Sequence, residues 1–289
     1  MSNLASISHR TAANQALMLL LCLIATFPGS IASATDQKVS SPLQALNARR
    51  QFNLSKAAND RGEEEEAIAA ANQAVELDPN NGNFHSWKAT LYMSYKNDLQ
   101  TALAECNRAC EIAPTSPMLK QKADVLFAMK KYSEALEITN KALNTKPVYI
   151  DAYRTKAIIL MQLGRLAEAE QCLSAIAIDG SSDGRMLRAI VASKLKHWKI
   201  VIDNTTYLLS PNVNNVPIKR LVDLRLMRAT AYEGMKNFKK AKQEYENTVA
   251  AWPDNRQAHL AAQHFYERLG DTVQANLQKQ ELKTIDADY

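Results

Sequence analysis

The chain has 289 residues, 46% hydrophobic, 22% charged and 7% aromatic, with a formal net charge of +5. Eight glycines and nine prolines are too few for a collagen-like, low-complexity or loop-rich disulfide scaffold. The many Ala, Leu, Lys and Glu residues point to helices, and so mild a charge gives no basis for nucleic-acid binding.

Residues 1–34 read as a secretory signal peptide. Their one charge is Arg10, beside His9. An apolar run follows from Ala16 to Phe27, Pro28-Gly29 breaks it, and Ala32-Ser33-Ala34 supplies an A-x-A cleavage site. The run is shorter than the ~20 residues a bilayer crossing needs. Cys22 follows leucines, whereas a lipid anchor calls for a small residue before the cysteine. Cleavage after Ala34 predicts a secreted or periplasmic protein with no stable membrane span. The alternative is tethering to the membrane by an uncleaved N-terminal segment. Residues 35–43 are polar, with Ser-Ser-Pro, and read as a disordered lead-in.

From there a repeat of 34 residues organises the chain. Lys88-Ala89, Lys122-Ala123 and Lys156-Ala157 each begin 34 residues after the last; Arg188-Ala189 follows after 32 and Arg228-Ala229 after 40. Counting one period outward at each end gives seven units. About 12 residues after each small residue a second signal recurs: Glu66-Ala67, Thr101-Ala102, Glu134-Ala135, Glu168-Ala169, Lys240-Ala241 and Gln274-Ala275. Small or apolar residues follow it by four and seven positions, as in Ala71/Ala74, Cys106/Ala109, Thr139/Ala142 and Leu173/Ile176, which is one stripe of an amphipathic helix. Pro79, Pro114, Pro147, Pro211 and Pro253 then end their units, because the residue before a proline is pushed out of helical geometry. Gly62, Gly164 and Gly270 fall between the paired helices, where a turn benefits from glycine.

Each unit is therefore predicted to be helix, turn, helix, proline turn. Residues 44–216 hold repeats one to five and a connecting loop; residues 217–289 hold repeats six and seven and a C-terminal cap. Unit two carries one extra residue between its helices. Unit five has Val201 and Thr205 at unusual places, and Ser210–Pro217 reads as an ordered loop or small hinge. The last unit turns polar at Gln278-Lys279-Gln280-Glu281, as a cap facing water should.

The pattern resembles the tetratricopeptide repeat family over residues 48 to about 285. Unit four carries it with Tyr153, Ala157, Leu160, Gly164 and Ala169. Unit six carries it with Ala229, Tyr232, Phe238, Ala241, Tyr245 and Pro253. The resemblance implies an all-α, right-handed α-solenoid and a concave surface lined by the first helix of each unit. Mapped onto this sequence, it puts Phe52, Lys56 and Asn59 on that surface from unit one. Lys120, Asp124 and Phe127 come from unit three, Arg154, Ile158 and Met161 from unit four, and Met186, Ile190 and Lys194 from unit five. Such a mixed groove with scattered cations suits an extended peptide or a partner helix.

Catalytic chemistry is not expected. No phosphate loop, G-x-S-x-G or H-E-x-x-H motif occurs. No cofactor or metal site is expected, since no His or Cys flanks Cys106 and Cys110 at metal spacing. Cys106, Cys110 and Cys172 read as packing residues. Glu63–Glu66 suit the positive end of a helix. Asn53-Leu54-Ser55 and Asn204-Thr205-Thr206 match a glycosylation triplet inside predicted helices. The ladder Lys88, Lys122, Lys156, Arg188 and Arg228 reads as packed stems with charges reaching water. The expected role is a non-catalytic protein-interaction scaffold outside the cytosol. Alternatives are a self-associating structural envelope protein and an accessory module recognising cell-wall peptide or glycan.

Overall fold

Fourteen helices and no strand are found among the described residues, paired in chain order. The first pair is α1 (Pro42–Arg61) and α2 (Glu64–Leu77); the second is α3 (Gly82–Ser94) and α4 (Leu99–Ile112). Then come α5 (Ser116–Ala128) with α6 (Tyr132–Asn144), α7 (Asp151–Gln162) with α8 (Leu166–Ile176), and α9 (Ser182–Lys194) with α10 (Trp198–Leu208). The last are α11 (Ile218–Gly234) with α12 (Phe238–Ala251) and α13 (Arg256–Leu269) with α14 (Thr272–Ala287). The structure, a computed structural model, describes residues 41–287 apart from 148, 177–180, 211, 212 and 214–216. The expected signal peptide, most of the lead-in and most of the Ser210–Pro217 segment lie outside the described residues. From Gln44 onward the chain forms one contact unit, an all-α solenoid of helix-turn-helix repeats.

The turn inside each pair has one design. Its first residue has a left-handed backbone, with φ between 49° and 76°, and is Gly62, Asn97, Lys130, Gly164, Lys196, Lys236 or Gly270. The next amide reaches back to a carbonyl five residues earlier, as Lys131 does to Leu126 and Asn237 to Tyr232. In repeat two Asp98 reaches six back, to Tyr92, which absorbs the extra residue there. That closure satisfies a carbonyl left open at the first helix's end. Glycine adopts the geometry freely; asparagine and lysine adopt it at a cost. Asp98, Asn237 and Asp271 then cap the second helix by accepting from the amides of Thr101, Lys240 and Gln274.

Packing follows the predicted small residues. Ala89, Ala123, Ala157, Ala189 and Ala229 on the first helices are fully buried, as are Ala67, Ala102, Ala135, Ala169 and Ala241 on the second. With a methyl at the contact, helix axes approach closely and larger neighbours fill the flanks. The resulting clusters bridge repeats. Ala89, Ala102 and Cys106 meet Val125 of the next repeat. Ala157, Leu160, Ala169, Leu173 and Ile176 meet Val191. Ala192 and Val201 meet Ala231 across the junction of repeats five and six. At that junction Gly234 lies so close to the Trp198 indole that an added Cβ would collide with the ring.

Polar ties reinforce the proline turns. His85 Nε2 lies 3.0 Å from the Pro79 carbonyl, and its Nδ1 lies 2.6 Å from Glu105 on α4. Repeat seven has the same device, with His259 bonded to the Pro253 carbonyl and to Gln278. Two of the ladder cations also end on carboxylates of their own repeat rather than in water. Lys88 sits 2.8 Å from Glu105, and Arg228 sits 2.9 Å from Glu244. A half-buried carboxylate of the second helix offers each of them a nearer partner than solvent. Burial pushes the Glu105 carboxyl up, but the hydrogen bonds from His85 and Lys88 outweigh it and hold the group below the ordinary carboxylate range. The C-terminal cap is also less polar than expected: α14 buries Ala275, Gln278 and Leu282 yet exposes Val273 and Leu277.

Two outcomes follow from these contacts. Lys130→Gly, Lys196→Gly and Lys236→Gly should each stabilise the fold by about 0.5–1 kcal/mol, and Gly164→Ala should destabilise it by about 1 kcal/mol; urea midpoints measure both. A carboxyl with a lowered folded pKa contributes stability in full above its unfolded value and loses it as pH falls through the folded one. The melting temperature of wild type should therefore exceed that of Glu105→Gln at pH 7, with the gap closing below about pH 4. Glu105→Ala should cost more than Glu105→Gln, because repeat seven already works with an amide at this place.

Candidate functional site

Aligning the repeats by their alanines puts Arg154, Met186, Leu226 and Leu260 at one register position of successive first helices α7, α9, α11 and α13. Ile158, Ile190, Thr230 and His264 share a second position four residues on. On a helix these lie one above the other on the same face. The rows from α9, α11 and α13 line an open cavity of about 900 Å³. Its floor is apolar, made by Met186, Leu187, Ile190, Leu226, Met227 and Leu260. Methionine's unbranched thioether lets such a floor adapt to differently shaped side chains.

Charges form a rim along one edge, near the starts of the helices. Arg154 Nη2 lies 3.1 Å from Asp151 and donates to Ser181 Oγ at 3.2 Å, while Nη1 lies 3.8 Å from Asp183. Arg220 approaches the same Asp183 at 3.4 Å, and Gln257 donates to Asp223 at 3.1 Å. Arg154 Nε is buried without a partner. Of these rim residues, Arg154, Arg220, Asp183 and Asp223 line the cavity, two cations against two anions, with Asp151 outside the lining, so the edge favours groups carrying both donors and acceptors over a strong ion of either sign.

No cysteine lines the cavity, and the described thiols lie in the packing between helices. Burial pushes the Cys106 thiol up to about 12 and raises Cys110 and Cys172 as well, away from the thiolate that reactivity requires. Among the described residues no three His, Cys, Asp or Glu side chains are grouped to hold a metal ion.

Of the residues mapped from the sequence, Arg154, Met186 and Ile190 line this cavity. The others lie elsewhere on the first helices. Phe52 packs on Phe84 with ring centroids 5.0 Å apart, and Lys56 sits over the Phe52 and Trp87 rings. Asn59 accepts from the Tyr95 hydroxyl. Lys120 pairs with Asp124 at 2.6 Å, and Asp124 also accepts from Thr155 of the next repeat. Phe127 leans on Tyr132 across its own turn. Met161 packs against the cluster around Ala157 and Leu160, and Ile158 is half-buried on α7 outside the lining. Lys194 is exposed, one residue past the register; Ser193, the true equivalent of Met161 at a spacing of 32, reaches the lining.

Mapping that stops at repeat five misses Leu226, Met227, Leu260 and His264. The signal for them was in the repeat itself: positions 186, 187 and 190 recur at 226, 227 and 230, then at 260, 261 and 264. The first helices thus change character along the stack. In repeats two and three, Gln121 Nε2 donates to the Ser86 carbonyl and to Thr90 Oγ1, both at 2.7 Å, so polar groups there are already engaged with one another. In repeats five to seven the same face is mostly apolar, with Thr230 and His264 as polar members.

Two models of the tetratricopeptide repeat match the chain, over residues 52–117 and 126–192. Similar solved structures include the C-terminal part of a tetratricopeptide repeat-containing protein from Cytophaga hutchinsonii, 15% identical with a TM-score of 0.64, covering 82% of this chain and 96% of that one. PilF of Pseudomonas aeruginosa is 14% identical with a TM-score of 0.63, covering 78% of this chain and 99% of that one. A tetratricopeptide repeat protein from Parabacteroides merdae is 17% identical with a TM-score of 0.56, covering 83% and 93% respectively. At such identities the likeness is one of fold. With seven helix pairs, the alanine register and both model matches in agreement, the chain belongs to the tetratricopeptide repeat family, whose members are generally non-catalytic scaffolds that bind proteins or peptides.

Proposed function

We propose that this protein is a scaffold outside the cytosol that holds an extended peptide or a partner helix across the first helices of repeats four to seven. The observation that carries this reading is the apolar floor of Met186, Ile190, Leu226, Met227 and Leu260 beneath a rim of balanced charge. An apolar side chain fully buried there gains about 1.5–3 kcal/mol, so two or three anchors would carry most of the binding energy. The rim supplies both signs and so meets a backbone or a mixed polar edge. The location rests on residues 1–34, whose basic start, apolar run and A-x-A site form a secretory signal. Among the described residues no helix is long and apolar enough to cross a membrane.

Crosslinking and pull-down from the native host test the site. Ile190→Asp with Met227→Glu should cut partner capture at least tenfold while the far-ultraviolet circular dichroism stays helical. Capture that survives this change, but is lost in Lys120→Ala with Phe127→Ala, would move the site to the front repeats. N-terminal sequencing of the protein from the extracytoplasmic fraction should begin at Thr35. Recovery from the cytosol with an intact Met1 would contradict the location.

A further inference from the structure

The two ends of the stack expose large aliphatic side chains at register positions that the inner repeats fill differently. On α14 Val273 is 73% exposed and Leu277 45% exposed. At the equivalent places the other second helices have Glu65 and Ala69, Gln100 and Ala104, Ser133 and Glu137, Ala167 and Gln171, Lys199 and Asp203, or Lys239 and Gln243. On α1 Leu46 is 64% and Leu54 49% exposed, and Leu54 stands where the next five repeats place Lys88, Lys122, Lys156, Arg188 and Arg228. Large aliphatic side chains left in water at sites where the rest of the repeat is polar or small mark a surface that is covered in use.

The two faces match in pattern and oppose in charge. Leu46, Arg50 and Leu54 lie at i, i+4 and i+8 on α1: apolar, cation, apolar. Leu277, Glu281 and Ile285 lie at i, i+4 and i+8 on α14: apolar, anion, apolar. Each row spans about 12 Å along its helix. Arg50 and Glu281 are exposed, and neither has an ion-pair partner among the described residues. Because each row reads the same in both directions, the fit holds for parallel or antiparallel helices.

We propose that α14 of one copy docks on α1 of a second copy, so that the chains associate end to end. Like-with-like pairing is disfavoured, since two α1 helices would oppose Arg50 to Arg50 and two α14 helices would oppose Glu281 to Glu281. The contact is heterologous, leaving an open end on each copy for a further one. Three turns of helix bury less than the roughly 1,200 Å² typical of a stable complex, so the association is weak and grows with concentration. It uses neither α9, α11 nor α13, and its success or failure is independent of the groove reading.

Light scattering on the full chain purified from its native host tests the pairing, over a concentration series from about 1 µM to several hundred µM, the range a contact this small calls for. The weight-average mass of wild type should climb toward twice that of a single chain and beyond. Arg50→Glu alone and Glu281→Arg alone should stay at the single-chain mass. An equimolar mixture of the two should climb again, because each then offers the other its complement, and the double variant should behave as wild type does. Wild type that remains a single chain throughout overturns the proposal. So do single variants that associate as wild type does, or a mixture that fails to recover. Circular dichroism confirms that these exposed substitutions leave the helices intact.

Discussion

Close approach of neighbouring helices at alanine is the contact on which the rest of the structure depends. Ala89, Ala123, Ala157, Ala189 and Ala229 are each without exposed surface, and each lies where a first helix meets its neighbours. A helix pair of this size cannot bury its apolar stripe alone. It does so only because the next first helix lays a Val125, an Ile159 or a Val191 into the same cluster. The left-handed turns and the histidine ties at Pro79 and Pro253 serve that contact by fixing where each helix begins and how it faces its neighbour.

A stack held this way frees the outward positions of the first helices for other work. Their register is fixed by packing, but the side chains one step around from it face no such demand. Repeats two and three fill those positions with polar groups bonded across the repeat boundary, such as Gln121 with Ser86. Repeats five to seven fill them with Met186, Leu226 and Leu260, whose side chains form no hydrogen bonds and line an open cavity. The proposed groove thus lies where the repeat departs from mutual satisfaction. The same reasoning applies to the ends, where Leu46, Leu54, Val273 and Leu277 depart from the repeat's own habits.

The fold was legible because packing residues must recur. Ala157 and Gly164 announce a helix and its turn through the period alone, and the extra residue in unit two surfaces directly as a six-residue closure at Asp98. The left-handed backbone at Lys130, Lys196 and Lys236 was not legible, since lysine gives no local hint of that conformation and the neighbouring helices impose it. The site was legible only in part. Register arithmetic with the spacings of 32 and 40 places Ser193 and Leu226 correctly, whereas a one-residue slip yields Lys194. The ends of the ladder cations depend on Glu105 and Glu244, which lie 16 or 17 residues further along on a facing helix, so the pairing appears only once the two helices are set side by side.

Nearest-neighbour burial makes a specific demand on how the stack fails. Hydrogen exchange read by mass spectrometry on Ala157→Trp meets it most directly, because an indole at a fully buried contact forces α7 away from its neighbours. Protection should fall in α6 to α9 and persist in α12 to α14. A uniform loss along all fourteen helices, or no change near α7, would contradict a structure held together only by adjacent pairs.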